Sequence, residues 1–203
     1  MTILPSEAGP ANVYKLMVGA IVPRPIAFVS TISLAGVRNL APFSFFTACS
    51  ANPPVVCFAP MVRASDGKQK DTLHNVRETG EFVVNIVSED FAEKMNICSA
   101  EFPPEIDEWE KSGLTPEASD CVKPPRVAES RFHMECRLVD IISVSKQPLG
   151  GNLVLGEVLR FHVADELFEA YRIDPDKLRA IGRMGGPTYA RTNDRFDLER
   201  PKL

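Results

Sequence analysis

The chain has 203 residues, 44% of them hydrophobic and 25% charged, with a formal net charge of −4. That is ordinary globular composition with enough chain for a substantial core. The acidic balance excludes the basic footprint of a nucleic-acid binder, although a local basic pocket for one phosphate stays compatible with it.

From the N-terminus, MTILPSEAGP lacks the basic start and apolar stretch of a secretory signal. No apolar run approaches the ~20 residues of a membrane span, so the expected location is the cytoplasm. Seventeen prolines cluster at 23–25, 53–54, 103–104 and 124–125, where they punctuate the chain rather than build helices. Between them, short runs rich in β-branched and aromatic residues predict strands at Ile26–Ser33, Val55–Ala59, Glu81–Val87, Phe132–Ser145 and Asn152–Val163, the last with a bulge or bend at Gly156. Several short strands separated by turns indicate a closed or sandwiched β architecture.

Helices are fewer. Gln69–Thr79 carries Leu73 and Val76 on one face and stops at Gly80. Ser88 is placed to cap a helix through Cys98, with Phe91, Met95 and Cys98 facing inward. Asp174-Pro175 reads as N-cap and N1 of a helix that stops at Gly182. Residues 99–131 read as a long excursion with one short helix that covers another part of the molecule. No repeat or linker divides the chain, so residues 1–203 are read as one domain. The cysteines at 49, 57, 98, 121 and 136 form no C-x-x-C pair and no zinc-like array, which points to free thiols in a reducing compartment and to no metal.

Conventional catalytic signatures are missing: there is no P-loop, no G-x-G-x-x-G, no G-x-S-x-G and no H-E-x-x-H. A β-rich enzyme without its own acid–base or metal set is a candidate for cofactor chemistry. Three segments carry positive signals. Asn39–Thr47 mixes Phe43, Phe45 and Phe46 with Asn, Ser and Thr, the combination a flat ring with polar edges requires; core packing accounts for the aromatics equally well. Arg63–Thr72 places Arg63, Lys68 and Lys70 with Ser65 and Thr72 before a helix start, where an anion is favoured; solvated lysines are the competing reading. Arg183–Arg191 contains Gly185, Gly186 and Tyr189, and adjacent glycines permit close backbone approach to a ligand, against a plain helix end and tail.

Taken in order, Pro23–Ala27, Val29–Thr31, Asn39–Phe46, Asn52–Pro54, Gly67-Lys68 with Lys70–Thr72, Glu81–Asn85 and Gly185-Gly186 with Tyr189 resemble the flavin reductase-like, FMN-binding split-barrel family over about residues 14–191. The resemblance implies a mainly β fold, a Greek-key split β-barrel with flanking helices, and a homodimer with FMN near its interface. It implies NAD(P)H as co-substrate for flavin reduction, with a monooxygenase or an electron-transfer protein as partner. An FMN-containing electron-transfer protein and a non-catalytic FMN-binding module are the alternatives. Carried onto this chain, Ser30, Thr31, Asn39, Ala41, Ser44 and Phe45 would line the isoalloxazine and ribityl chain. Arg63, Lys68 and Thr72 would surround the phosphate with Ser65 as helper, and Gly186 and Tyr189 would close the pocket. Arg24 would contact the phosphate or brace the loop. Hydride transfer between stacked rings needs no general base, so no conventional catalytic residue is expected. His162 is the single residue put forward near the nicotinamide, beside its reading as a satisfied structural histidine.

Overall fold

The computed structural model describes residues 1–103 and 106–201. Two helices open the chain, α1 (Pro5–Ala8) and α2 (Pro10–Ala20), each with proline in its first turn, where the missing N–H costs nothing. The strands β1 (Ala27–Ile32), β2 (Arg38–Phe43), β3 (Phe46–Ala51) and β4 (Pro54–Phe58) follow. Next come α3 (Asp71–Thr79), β5 (Glu81–Ile86), a 3₁₀ turn at Glu89–Phe91 and α4 (Ala92–Ile97). The excursion contributes α5 (Glu108–Ser112) and the short pair β6 (Pro116–Glu117) and β7 (Arg126–Val127). The long strands β8 (Phe132–Ser143) and β9 (Asn152–Val163) complete the main sheet. A two-residue ladder of β10 (Phe168–Glu169) and β11 (Arg172–Ile173), helix α6 (Pro175–Leu178), and the hairpin β12 (Ile181–Arg183) with β13 (Tyr189–Arg191) finish the fold.

Seven strands form one sheet in the order β2-β1-β5-β8-β9-β4-β3, and every pairing is antiparallel. Its two edges, β2 and β3, are consecutive in the chain and joined by Ser44 and Phe45 alone. Two residues span too little distance to connect opposite ends of a flat seven-strand sheet. The sheet therefore curls into a barrel that is left open at the β2/β3 seam, a split β-barrel.

Strand alternation sorts the apolar residues into two cores. Inside the barrel lie Val29, Phe43, Phe58, Phe82, Val84, Met134, Cys136, Val154 and Val158, joined by Leu73 and Val76 of α3. Outside, Phe28, Leu40 and Val87 pack against Phe91 and Met95, and against Trp109 of α5. Phe58 meets Phe82 edge-on at 5.4 Å between ring centroids. The Phe82 ring also occupies the space over Gly156, where an added Cβ would lie 2.2 Å from its Cζ. The irregularity expected at Gly156 exists, but the additional residue belongs to the facing strand: the register of β8 slips between Leu138 and Asp140, opposite Gly156 and Leu155.

The expected strands are all present with ends within two residues. Gly80 closes α3 in the left-handed conformation (φ 71°) and returns its N–H to the Val76 carbonyl at 2.9 Å. Two helix expectations need correction. Ser88 makes no side-chain cap, and the segment starts as a 3₁₀ turn, because the Ser88 backbone bridges to Ala180 and the Glu89 N–H is taken by the Arg179 carbonyl. The helix capped by Asp174, whose carboxylate accepts from the Asp176 and Lys177 N–H groups, ends at Leu178 rather than Gly182. Residues 181–183 are recruited into the β12–β13 hairpin. Residues 99–131 contain the expected short helix, with Pro104 and Glu105 lying outside the described residues. No helix among the described residues is long and apolar enough to cross a membrane.

Candidate cofactor cavity at the barrel seam

The seam that splits the barrel also opens a cavity of about 340 Å³, within the size range of small-molecule sites. β2 supplies Asn39, Ala41 and Phe43, and the connector supplies Ser44 and Phe45. The chain after β4 supplies Met61 to Ala64, and the start of α3 supplies Asp71 and Thr72. Tyr14 of α2 forms part of the wall, its ring 6.4 Å from that of Phe45. Ser99 to Phe102 and Glu108 close it from the excursion. The walls combine aromatic faces with a polar end.

That polar end is built around Arg63. Its side chain is only 12% exposed, Nη2 donates to Asp71 at 2.9 Å, and Nε is buried without a partner among the described residues. A buried unpaired guanidinium N–H is costly unless a ligand takes it. No side chain caps the N-terminus of α3, so its first amides remain available to an anion. Lys70 also faces the cavity, 3.7 Å from Glu101. Loop 63–68 is held by the Arg63 N–H on the Lys68 carbonyl and by Gly67 at φ 70° returning its N–H to Arg63.

A buried polar network lies behind the wall. Thr72 Oγ1 and Thr31 Oγ1 donate to Asn39 Oδ1 at 2.7 and 3.4 Å, and Asn75 Nδ2 donates to Thr31 at 3.0 Å. Asn39 Nδ2 donates to Glu108 Oε1 at 2.7 Å, and the Leu40 N–H donates to Glu108 Oε2 at 3.2 Å. Burial pushes the Glu108 carboxyl above the usual range, opposed by these hydrogen bonds.

Among the residues singled out from sequence, Asn39, Ala41, Ser44, Phe45, Arg63 and Thr72 line this cavity together. Ser30 and Thr31 are fully enclosed and do not line it; Thr31 stands one hydrogen bond behind Asn39. Lys68 points to solvent, with 76% of its side chain exposed, and Ser65 donates to Glu101 at 2.6 Å. Arg24 is buried as a clamp. It donates to Ser44 Oγ, to the Val18 and Ile21 carbonyls at the end of α2, and to the Met184 carbonyl. It thereby fixes the seam connector to two distant segments. Gly186 (φ 58°) lies in the β12–β13 turn. Tyr189 stacks under Arg183 at 4.5 Å and donates to Asn96, in a recess that shares Pro42, Ser44 and Ser99 with the cavity.

His162 lies elsewhere. Its Nε2 is 2.6 Å from Glu135 Oε1, in a surface recess with no lining residue in common with the cavity. Glu135 is fully buried and also accepts the Asp120 and Cys121 N–H groups. Asp120, Glu135 and His162 come within 4.8 Å of one another, but Asp120 is bound to Arg160 and Glu135 already has three donors. Each carboxylate of the trio is thus already engaged by groups of the protein. All five cysteines are free thiols.

The family model for the flavin reductase like domain matches residues 18–182. The chain belongs to the flavin reductase-like family. The nitrilotriacetate monooxygenase component B of Bacillus cereus is 38% identical, with 98% of each chain covered and a TM-score of 0.92. The 2-nitrobenzoate 2-nitroreductase of Pseudomonas fluorescens is 35% identical over 100% of this chain and 98% of that one, with a TM-score of 0.84. A Shewanella frigidimarina protein with a split barrel domain superposes with a TM-score of 0.84 over 99% of this chain and all of that one. At 22% identity it shows the common fold.

Tyr14, Met61, Phe102, Glu108 and Leu149 line the cavity without having been singled out from sequence. Each comes from a segment with no motif of its own, so only their convergence in space marks them.

Proposed function

We propose that this flavin reductase-like protein binds FMN in the seam cavity and uses NAD(P)H to reduce it by hydride transfer. The observation that carries the reading is the pairing, in one cavity, of aromatic walls with the partnerless Arg63 Nε and the uncapped start of α3. A ligand with a flat ring and a dianionic end satisfies both features; neither is needed by the fold.

In this reading Arg63, Lys70 and the first α3 amides, that of Thr72 among them, hold the phosphate, with Lys68 and Ser65 at its solvent side. Phe45 and Tyr14 give apolar faces to the ring. Asn39, Ala41 and Ser44 meet its polar edge, with Ser30 and Thr31 enclosed behind them. Gly186 and Tyr189 flank the mouth, and Arg24 holds Ser44 in place from below. FMN, when bound, supplies the hydride-accepting centre. The protein's part is to orient the ring, exclude water from one side and leave the other open to the nicotinamide. Within one protomer, His162 lies in a recess separate from this cavity.

The chain acts as a homodimer in the cytoplasm. Val139, Ile142 and Val144, on or just after β8, are exposed apolar residues, a surface that a second copy would cover. The similarity to component B supports delivery of reduced flavin to a monooxygenase. The similarity to a nitroreductase supports a second reading, direct reduction of a nitroaromatic in the same cavity.

The test is an absorbance spectrum of the purified protein with added FMN, followed by anaerobic NADH and NADPH. Flavin bands that bleach with either nucleotide support the reductase reading. Bands that bleach only with dithionite favour an electron-transfer protein. A protein that does not bind FMN ends the flavin reading. Nitroaromatic-dependent nicotinamide oxidation under nitrogen would favour the second reading.

A further inference from the structure

Asn39 and Glu108 are the least expected pair in the cavity wall. They lie 69 positions apart, Glu108 arrives on the excursion, and each is only 8% exposed. A buried side-chain amide can point either way, and the direction decides whether it offers a ligand a donor or an acceptor. Here the partners decide it. Glu108 accepts from Asn39 Nδ2 on one oxygen and from the Leu40 N–H on the other, and an accepting oxygen requires the nitrogen end of the amide. The Thr72 and Thr31 hydroxyls converge on the other end of the amide, at Oδ1.

We propose that Glu108 is a positioning residue that locks the Asn39 amide with Oδ1 turned inward, so that Asn39 can meet a cavity ligand only as a hydrogen-bond donor. The group count follows directly. Oδ1 has two lone pairs, both taken by the threonine hydroxyls. Nδ2 has two hydrogens, one of them taken by Glu108, so a single N–H is left without a partner among the described residues, at a residue that lines the cavity and, with Glu108, the recess beside it. The ligand atom opposite must therefore be an acceptor: a carbonyl oxygen, an unprotonated ring nitrogen or a hydroxyl oxygen. An amino or protonated nitrogen at that place would leave two donors facing each other, which is costly in a buried site. Through the Asn39 amide, Glu108 thus selects the polar edge of the ligand.

Assigning that acceptor to a flavin rests on the proposed function; the amide lock does not. The experiment uses the full chain labelled with ¹⁵N. The Asn39 side-chain amide pair is identified by its loss in Asn39→Ser, and FMN affinity is measured by fluorescence titration. In Glu108→Gln the acceptor becomes an amide that can also donate. The Asn39 pair is expected to shift and exchange faster with water, and the FMN dissociation constant to rise about 10–100-fold, as when the group orienting a ligand is removed. Glu108→Asp keeps an acceptor and is expected to restore the wild-type resonances in part. A Glu108→Gln protein whose Asn39 resonances and exchange match wild type overturns the lock. An amide that reorients while FMN affinity stays within about twofold overturns the donor assignment. If the wild type binds no FMN, the flavin reading fails, and the Asn39 resonances alone decide the lock.

Discussion

Acidification should destabilise the protein through one histidine. His133 on β8 is 4% exposed, with Nε2 2.8 Å from the Ser130 carbonyl and Nδ1 buried without a partner among the described residues. Burial first, then the charges of Arg126 and His162, push its pKa down to about 4 from 6.5, against a smaller opposite pull from Glu135. The unfolded chain binds this proton near pH 6.5 and the folded chain only near pH 4. The contribution is therefore intact above about pH 6.5, shrinks as pH falls, and is gone below about 4. At about 1.36 kcal/mol per pH unit, the full window amounts to about 3 kcal/mol, and the part between pH 6.5 and 5 to about 2 kcal/mol. Glu135 adds to the acid loss in a lower window. Burial raises its pKa, but the Asp120 and Cys121 amides and His162 outweigh that, so its folded pKa lies below the usual carboxylate value. The assay is urea unfolding of wild type and His133→Gln at half-unit steps of pH. The substitution removes the titrating group, so only the slope with pH is compared, not the absolute stability. A variant that loses as much stability as wild type between pH 6.5 and 5 would refute the assignment to His133.

Other outcomes follow from packing and from the cavity. Gly156→Ala puts a methyl group into the Phe82 ring and should cost about 1–3 kcal/mol by overpacking, read as a lower Tm; Phe82→Leu in the same chain should recover part of it. Arg24→Lys cannot reproduce a planar fork on Ser44 and three carbonyls and should cost about 2–3 kcal/mol, again by Tm. Arg63→Ala should weaken FMN by about 10–150-fold, the equivalent of a charge-assisted hydrogen bond of about 1.5–3 kcal/mol, while changing riboflavin affinity little. Equal loss for both flavins would remove the phosphate from this end of the cavity.

How much of this was legible in one dimension depended on distance along the chain. Local devices were readable. The strand runs, Gly80 at the end of α3 and Asp174 capping α6 were set by β-branched and aromatic content, left-handed backbone freedom and a side-chain acceptor within three residues. The resemblance placed the Asn39–Phe46 and Arg63–Thr72 segments together, and both now wall one cavity. Element ends set by remote partners were not readable: α6 stops early because Ile181–Arg183 pairs with Tyr189–Arg191, and the Ser88 helix starts as a 3₁₀ turn because Ser88 bridges to Ala180. Local propensity carries no information about such pairings.

The amino-acid sequence by itself determined that the chain would form many short strands around an aromatic core, and it marked the family and the two motif segments. Only the tertiary structure decided that the sheet edges meet at Ser44 and Phe45 to open a cavity. It also decided that Arg24 is a brace rather than a wall residue, and that His162 serves Glu135 on another face. Above all, it brought Glu108 against Asn39. Curling a sheet and folding an excursion back over it bring together groups with no sequence periodicity in common, and hydrogen-bond partnership exists only once that closure has occurred.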